Sequence, residues 1–255
     1  AIQALPAVLA ARRIGMLAPS YAEHAHAWRQ RDVVWLAASA IDAAVDTLDA
    51  LLLVQPNNPT GEHFPRAQLL DWHQRLQRRG GTLIVDEAFI DAAPADSLAP
   101  LAGQAALVVL RSLGKFFGLA GARVGFVLGP AALRTALAEQ LGPWTLSAPA
   151  QDIARQALSD TAWQAAMRRR LAADGARMAA LLARHGGRPS GPALFKYLPT
   201  ADARRWQAHF ARAAIWTRAF DTPPALRLAL PADEAGWQRL DHTLQQGRRA
   251  GLSLE

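Results

Sequence analysis

Short apolar runs alternate with helical stretches through the first half of the chain. The runs are IGML, DVVWL, ALLLV, TLIVD, ALVVL and ARVGFVL, and the pattern begins at Ile14 and continues through Phe126. Between them, Ile41–Leu48 and Pro65–Arg79 have the pattern of crossover helices, the second with a proline in its first turn and Gly80-Gly81 at its end. This alternation is typical of βαβ units, so we predict an α/β domain with a mainly parallel sheet.

The second half of the chain has a different organisation. A predicted helix at Ala131–Leu141 is followed by an Ala/Arg/Leu-rich stretch, 148–185, which is helical with one break and suits a bridge between domains. Beyond Gly186–Pro192 come three strand-like segments, ALFKYLP, AAIWTRAF and ALRLALP, with predicted helices at Asp202–Arg212 and Asp233–Arg248. We therefore predict a large domain over 1–150 and, over 151–255, the interdomain helix and a smaller α+β domain.

Composition limits the possible functions. The chain has no cysteine, which excludes disulfides and thiolate metal sites. Its net charge of +7 comes almost entirely from arginines spread along the sequence, which argues against a nucleic-acid surface. No apolar run approaches the roughly 20 residues of a membrane span, and the first residues do not resemble a signal peptide. We expect a cytoplasmic protein with no membrane or nucleic-acid partner.

Three polar segments directly follow predicted strands. They are VQPNNPTG at 54–61, DEAF at 86–89 and RSLGKFFGLAGARVGF at 111–126. Ligands of open α/β sheets bind at the carboxyl ends of strands, so these segments predict a ligand site. A buried acid such as Asp86 needs a cationic partner, which a protonated ring nitrogen or a metal would provide, although no metal-ligand cluster accompanies it. Each segment by itself is also compatible with an ordinary turn or a solvated loop.

Taken together and in this order, the segments resemble the aspartate-aminotransferase-like enzymes of fold type I, which use pyridoxal 5'-phosphate (PLP). The matching residues are Asn-Pro-Thr-Gly, then Asp-Glu-Ala-Phe, then Ser-x-x-Lys with Arg123 following. The resemblance covers nearly all of the chain. It implies a three-layer large domain with a mainly parallel sheet, a smaller C-terminal α+β domain, and a homodimer.

The resemblance also implies roles for individual residues at the cofactor. Lys115 would form the Schiff base with PLP and later move protons. Asn58 would hydrogen-bond the phenolic oxygen of the ring, and Asp86 would keep the pyridine nitrogen protonated so that the ring can accept electrons. The other implied cofactor positions are Tyr21, stacked on the ring, and Ser112 and Arg123, which would bind the cofactor phosphate.

Within the family, the motifs are most similar to the branch that contains histidinol-phosphate aminotransferase and the threonine-phosphate decarboxylase of cobalamin biosynthesis. This similarity implies a phosphorylated amino-acid substrate. Arg227 would bind its carboxylate, Arg218 its phosphate, and Asn58 would also contact it. Phe89 where many relatives have tyrosine, the segment GPWTLSAPA and the short stretch between Arg218 and Arg227 are more similar to the decarboxylase, so the resemblance favours decarboxylation of L-threonine O-3-phosphate over transamination. No residue that can be read from the sequence alone fixes which of the two reactions occurs.

The start of the chain departs from the family pattern and leaves alternative functions open. The chain starts at Ala1 within an apparent helix, so we expect a preceding segment with a phosphate-binding loop to be missing. The same observation leaves open a PLP-binding regulator with a separate DNA-binding domain, or a fragment that binds no cofactor. We interpret His24 and His26 as surface residues on an irregular segment rather than metal ligands, and most tryptophans as core or interface residues, with Trp144 the exception.

Overall fold

The structure is a computed structural model that describes residues 1–254. It consists of two compact units, and the first comprises 1–58 and 62–164. The second comprises Pro59–Gly61 and the residues from Ala165 onward. The domain limits predicted from the sequence, 1–150 and 151–255, remain a prediction. Each unit is described by itself below.

A six-stranded sheet forms the centre of the first unit, and all six predicted strands are present. They are β1 (Arg13–Leu17), β2 (Asp32–Leu36), β3 (Ala50–Val54), β4 (Thr82–Asp86), β5 (Leu107–Ser112) and β6 (Gly125–Leu128). The order is β2-β1-β3-β4-β5-β6, and only β6 is antiparallel to its neighbour. The prediction of an α/β fold with a mainly parallel sheet is therefore confirmed.

The sheet is buried on both faces, which explains why its central strands are continuously apolar. Successive residues of a strand point to opposite faces. Leu51 and Leu53 of β3 pack into one core cluster, whereas Ala50 and Leu52 pack into another. The helices of this unit are α1 (Leu5–Val8), α2 (Ala22–Trp28), α3 (Ile41–Ala44), α4 (Arg66–Arg78), α5 (Ala131–Leu141), α6 (Ala148–Ser159) and the start of α7 (Thr161–Arg184).

The helices predicted for the first unit agree with the structure to different degrees. The helix α4 begins at Arg66, so Pro65 is its N-cap residue and not part of its first turn as predicted. The predicted break in 148–185 falls at Asp160, whose carboxylate accepts a hydrogen bond from the backbone N–H of Trp163 (2.9 Å). The predicted helix Ile41–Leu48 is instead the single turn α3 followed by a 3-10 turn, Val45–Thr47. Each of the nine α-helices in 1–254 is too short or too polar to span a bilayer.

The second unit has its own sheet and its own core. Its three strands, β7 (Phe195–Pro199), β8 (Arg218–Asp221) and β9 (Pro224–Ala229), pair antiparallel in the order β7-β9-β8. The helices α8 (Ala203–Arg212) and α9 (Glu234–Arg249) and the rest of α7 complete it. Trp206 and Phe210 are fully buried in its core.

A glycine in α9 allows close packing against Trp206. A Cβ added at Gly247 would lie 2.3 Å from two ring carbons of Trp206, which is fully buried. Alanine is favoured over glycine by up to about 1 kcal/mol within a helix, but overpacking a core costs about 1–3 kcal/mol. We expect Gly247→Ala to lower the free energy of unfolding by about 1 kcal/mol, measured by urea denaturation. The neighbouring exposed substitution Gln245→Ala should change it by less than about 0.5 kcal/mol.

Candidate active site

A cavity of about 450 Å³ lies at the carboxyl ends of β3, β4 and β5 in the first unit. This position follows from parallel strand order, because the segments that leave adjacent strands meet at one edge of the sheet. The volume is in the range of small-molecule sites. The structure brings together all six residues that the resemblance assigns to the cofactor, and each lines this cavity: Tyr21, Asn58, Asp86, Ser112, Lys115 and Arg123.

Asp86, the last residue of β4, has a protein partner that the sequence did not predict. Its Oδ2 lies 2.7 Å from Nε2 of His24, and its Oδ1 accepts a hydrogen bond from the backbone N–H of Ala88 (3.0 Å). His24 is 1% exposed and lies on α2, so its interpretation as a surface residue was wrong, whereas His26 is exposed as expected. Helical periodicity is the signal that separates them, since His24 and Trp28 lie four residues apart and share the buried face.

Glu87 is fully buried and serves a different purpose from the adjacent Asp86. Its carboxylate accepts hydrogen bonds from the Ser97 hydroxyl and the Leu98 backbone N–H, both 2.6 Å, and Arg111 Nη1 lies 3.4 Å away. Burial raises the pKa of Glu87, while the two short hydrogen bonds oppose that rise. Glu87 therefore fixes the segment after β4 from within the protein and leaves Asp86 at the cavity.

The two adjacent asparagines of the segment VQPNNPTG also face different surroundings. Asn57 is fully buried, donates from Nδ2 to the carbonyl oxygen of Pro19 (2.9 Å) and accepts from the Ser20 hydroxyl (2.9 Å). It ties the turn after β3 to the turn after β1. Asn58 is the asparagine that lines the cavity.

The glycine-rich loop after β5 carries Lys115 at the cavity. The Lys115 side chain is exposed, and its Nζ lies 5.5 Å from the centre of the Phe89 ring. The Ser112 hydroxyl accepts a hydrogen bond from the backbone N–H of Gly114 (3.1 Å). Arg123 has a left-handed backbone conformation with φ of 56°, which turns the chain sharply before β6. The loop thus presents an amine, a hydroxyl and a guanidinium to the same space.

Tyr21 completes one wall of the cavity. Its ring packs edge-on against His24, with ring centres 5.9 Å apart, and its side chain is partly exposed. Burial, together with the nearby Glu23 and Asp86, raises the pKa of its hydroxyl. The ring is thus fixed beside the same histidine that contacts Asp86.

Arg218 and Arg227, the two residues assigned to the substrate, belong to the second unit. They lie directly opposite each other in the β8–β9 pair. Their guanidinium groups lie over aromatic rings, Arg218 over Phe220 (5.8 Å) and Arg227 over Phe195 (5.4 Å). Burial, and to a lesser extent Arg218, lowers the pKa of Arg227. Two like charges on adjacent strands repel, so this arrangement favours binding of an anion.

No group of three or more histidine, aspartate or glutamate side chains suitable for a metal ion occurs in residues 1–254. The cavity instead contains an acceptor for a protonated ring nitrogen, an amide, an amine that can react with an aldehyde, and donors for a phosphate. This set of groups fits PLP.

Comparison with known proteins identifies the same family as the sequence motifs. The family model "Aminotransferase class I and II" matches residues 1–235. The chain is 53% identical to a threonine-phosphate decarboxylase from Pseudomonas aeruginosa over 96% of its own length and 75% of the relative's. It is 40% identical to another from Sinorhizobium sp. over 95% and 74%. A histidinol-phosphate aminotransferase from Sodalis glossinidius is 42% identical, but over only 48% of this chain and 34% of the relative.

Solved structures show the same fold at low sequence identity. The histidinol-phosphate aminotransferase from Clostridium acetobutylicum matches with a TM-score of 0.87 at 20% identity, covering 98% of this chain and 81% of that one. The L-threonine-O-3-phosphate decarboxylase from Porphyromonas gingivalis matches with a TM-score of 0.84 at 20% identity, covering 97% and 80%. The family-model match and the close relatives lead to one conclusion: this chain belongs to the class I and II aminotransferase family.

Proposed function

We propose that this chain is a PLP-dependent lyase that decarboxylates L-threonine O-3-phosphate to aminopropanol phosphate and carbon dioxide, a step of cobalamin biosynthesis. The observation that carries the proposal is the 53% identity to a threonine-phosphate decarboxylase over 96% of the chain. The groups around the cavity support it. The family also leads us to propose a cytoplasmic homodimer.

The residues around the cavity would hold the cofactor in one orientation. Ser112 and Arg123 would bind the cofactor phosphate, the arginine through the planar fork of donors that suits phosphate oxygens. Asn58 would donate a hydrogen bond to the phenolic oxygen, and Tyr21 would cover the ring. Lys115 would bind the cofactor covalently through Nζ. When bound, PLP supplies a conjugated ring that accepts the electron pair released at the substrate's α-carbon.

Asp86 would set the charge of the cofactor ring. Its carboxylate would keep the pyridine nitrogen protonated, because a negative charge beside a titratable nitrogen favours the protonated form. The contact with His24 and the hydrogen bond from Ala88 hold the Asp86 side chain in one orientation. We therefore assign His24 as a positioning residue that acts through Asp86.

Reaction type depends on which bond at the substrate's α-carbon is broken, and the orientation in which the protein holds the substrate decides this. Arg227 binds the substrate carboxylate and Arg218 the phosphate, and together they orient the α-carbon. If the bond to the carboxylate is broken, carbon dioxide leaves and Lys115 would supply the proton that replaces it at the α-carbon. If the bond to the α-hydrogen is broken, Lys115 would instead accept that proton, as amino transfer requires.

The experiment that tests this proposal compares two substrates. We expect the chain, loaded with PLP, to release carbon dioxide from L-threonine O-3-phosphate and to form no glutamate from histidinol phosphate and 2-oxoglutarate. Carbon dioxide is measured by a coupled assay and glutamate by amino-acid analysis. Amino transfer without carbon dioxide release would contradict the proposal and identify a histidinol-phosphate aminotransferase, the alternative that the shorter matches to those enzymes favour.

A further inference from the structure

One face of the β7-β9-β8 sheet is not part of the core of the second unit. Leu198, Leu226, Leu228 and Ala219 belong to the core cluster, so they define the inner face. Because side chains alternate along each strand, the opposite face carries the residues between them. The large side chains of that face are two arginines and three aromatic residues: Phe195, Tyr197, Arg218, Phe220 and Arg227.

Tyr197 is a polar member of this face to which the family resemblance assigns no role. It is 5% exposed, and its hydroxyl has no hydrogen-bond partner among the described residues. Burial raises the pKa of this hydroxyl, so it carries its proton at neutral pH and can donate. Leaving a buried polar group unpaired costs about 1–3 kcal/mol. Phenylalanine at this position would fill the same space without that cost.

The position of Tyr197 indicates what the hydroxyl binds. Tyr197 is directly opposite Arg227 across the β7–β9 pair, and Arg227 is directly opposite Arg218 across β9–β8. Residues opposite each other in an antiparallel pair have Cβ atoms about 4.5–5.5 Å apart. Tyr197, Arg227 and Arg218 therefore form a row of three hydrogen-bond donors, with Tyr197 next to the arginine assigned to the carboxylate. A row of donors is complementary to an anion.

We propose that the Tyr197 hydroxyl donates a hydrogen bond to the substrate carboxylate that Arg227 binds, which makes Tyr197 a residue that selects for an α-carboxylate. The inference rests on the proposed function. It has a specific consequence: the decarboxylation product, which has lost the carboxylate, does not use this hydrogen bond. Tyr197 therefore discriminates between substrate and product.

The test uses the PLP-loaded chain and two single substitutions. Tyr197→Phe removes only the hydroxyl. We expect kcat/KM for L-threonine O-3-phosphate to fall about tenfold, since hydrogen bonds to charged groups contribute at about that level. The inhibition constant of aminopropanol phosphate should change less than twofold. The melting temperature should rise by about 2–4 °C, because an unpaired buried hydroxyl is removed.

Thr217→Val is the matched control, because Thr217 is 4% exposed, belongs to the same unit, and its hydroxyl also has no partner among residues 1–254. It should raise the melting temperature similarly and leave kcat/KM within twofold of wild type. An unchanged kcat/KM in Tyr197→Phe, or an equal loss of product binding, would overturn the inference alone. So would a lower melting temperature, which would assign the hydroxyl a structural role. A wild-type chain that does not decarboxylate the substrate would overturn the proposed function and this inference with it.

Discussion

Lys115→Ala is expected to lower kcat for carbon dioxide release from L-threonine O-3-phosphate by about 10⁴-fold, while its melting temperature stays close to that of the wild type. In the proposed function the amine at this position both binds the cofactor and moves a proton, and proton transfer by a positioned side chain by itself contributes up to about 10⁴-fold. The Lys115 side chain is exposed at the cavity, so its removal leaves no buried group without a partner.

The only other lysine of the chain provides the control for this variant. Lys196 is 8% exposed and its Nζ donates to the carbonyl oxygens of Gly191 (3.0 Å) and Pro192 (3.1 Å). Burial lowers the pKa of Lys196. Lys196→Met should retain kcat within about twofold. Added methylamine should restore part of the activity of Lys115→Ala, because it replaces the missing amine. A rate within tenfold of wild type in Lys115→Ala would contradict the assignment.

Asp86→Asn is expected to have the second largest effect, a loss of about 10²–10³-fold in kcat. The substitution keeps the shape of the side chain and an acceptor for the Ala88 N–H, but it removes the negative charge. Removing one preorganised electrostatic partner of a developing charge typically costs a factor of that size. Steady-state rates, together with the absorption spectrum of the bound cofactor, measure the effect, since the spectrum reports the protonation of the ring.

Glu87→Gln separates the electrostatic role of Asp86 from a general effect of removing a buried acid at the end of β4. The Glu87 oxygens accept from the Ser97 hydroxyl and the Leu98 N–H, so an amide NH₂ would face a donor. We expect this variant to lose about 1–3 kcal/mol of unfolding free energy and to keep kcat within about tenfold. If Glu87→Gln lost as much activity as Asp86→Asn, the charge of Asp86 would not be the cause.

The sequence predicts the frame of this site better than its internal contacts. The strands are predictable because local apolar runs bounded by turn residues determine them, and the three polar segments then meet at one edge of the sheet. The partner of Asp86 is not predictable in this way. His24 lies 62 positions away, and only the tertiary fold brings the two side chains together. Asn58 and Asp86 line the cavity, whereas their neighbours Asn57 and Glu87 make buried hydrogen bonds. This difference likewise depends on the direction in which the fold turns each side chain.

In the second unit, the orientation of Tyr197 could not be predicted from the sequence either. Nothing in the segment ALFKYLP distinguishes a tyrosine that fills the core from one that faces away from it. The register of the β7–β9 pair, which places Tyr197 opposite Arg227, supplies that information. Register depends on the turn geometry and on the buried face of both strands, which single-sequence patterns define poorly.

Covalent attachment of PLP to Lys115 is the central claim, and its location in the chain can be measured directly. The chain is incubated with PLP, the bond is reduced with borohydride, and the peptides from a protease digest are analysed by mass spectrometry. The expected result is a single modified peptide that contains Lys115, with Lys196 unmodified. Modification at Lys196 instead, or no stable modification at any peptide, would contradict the account.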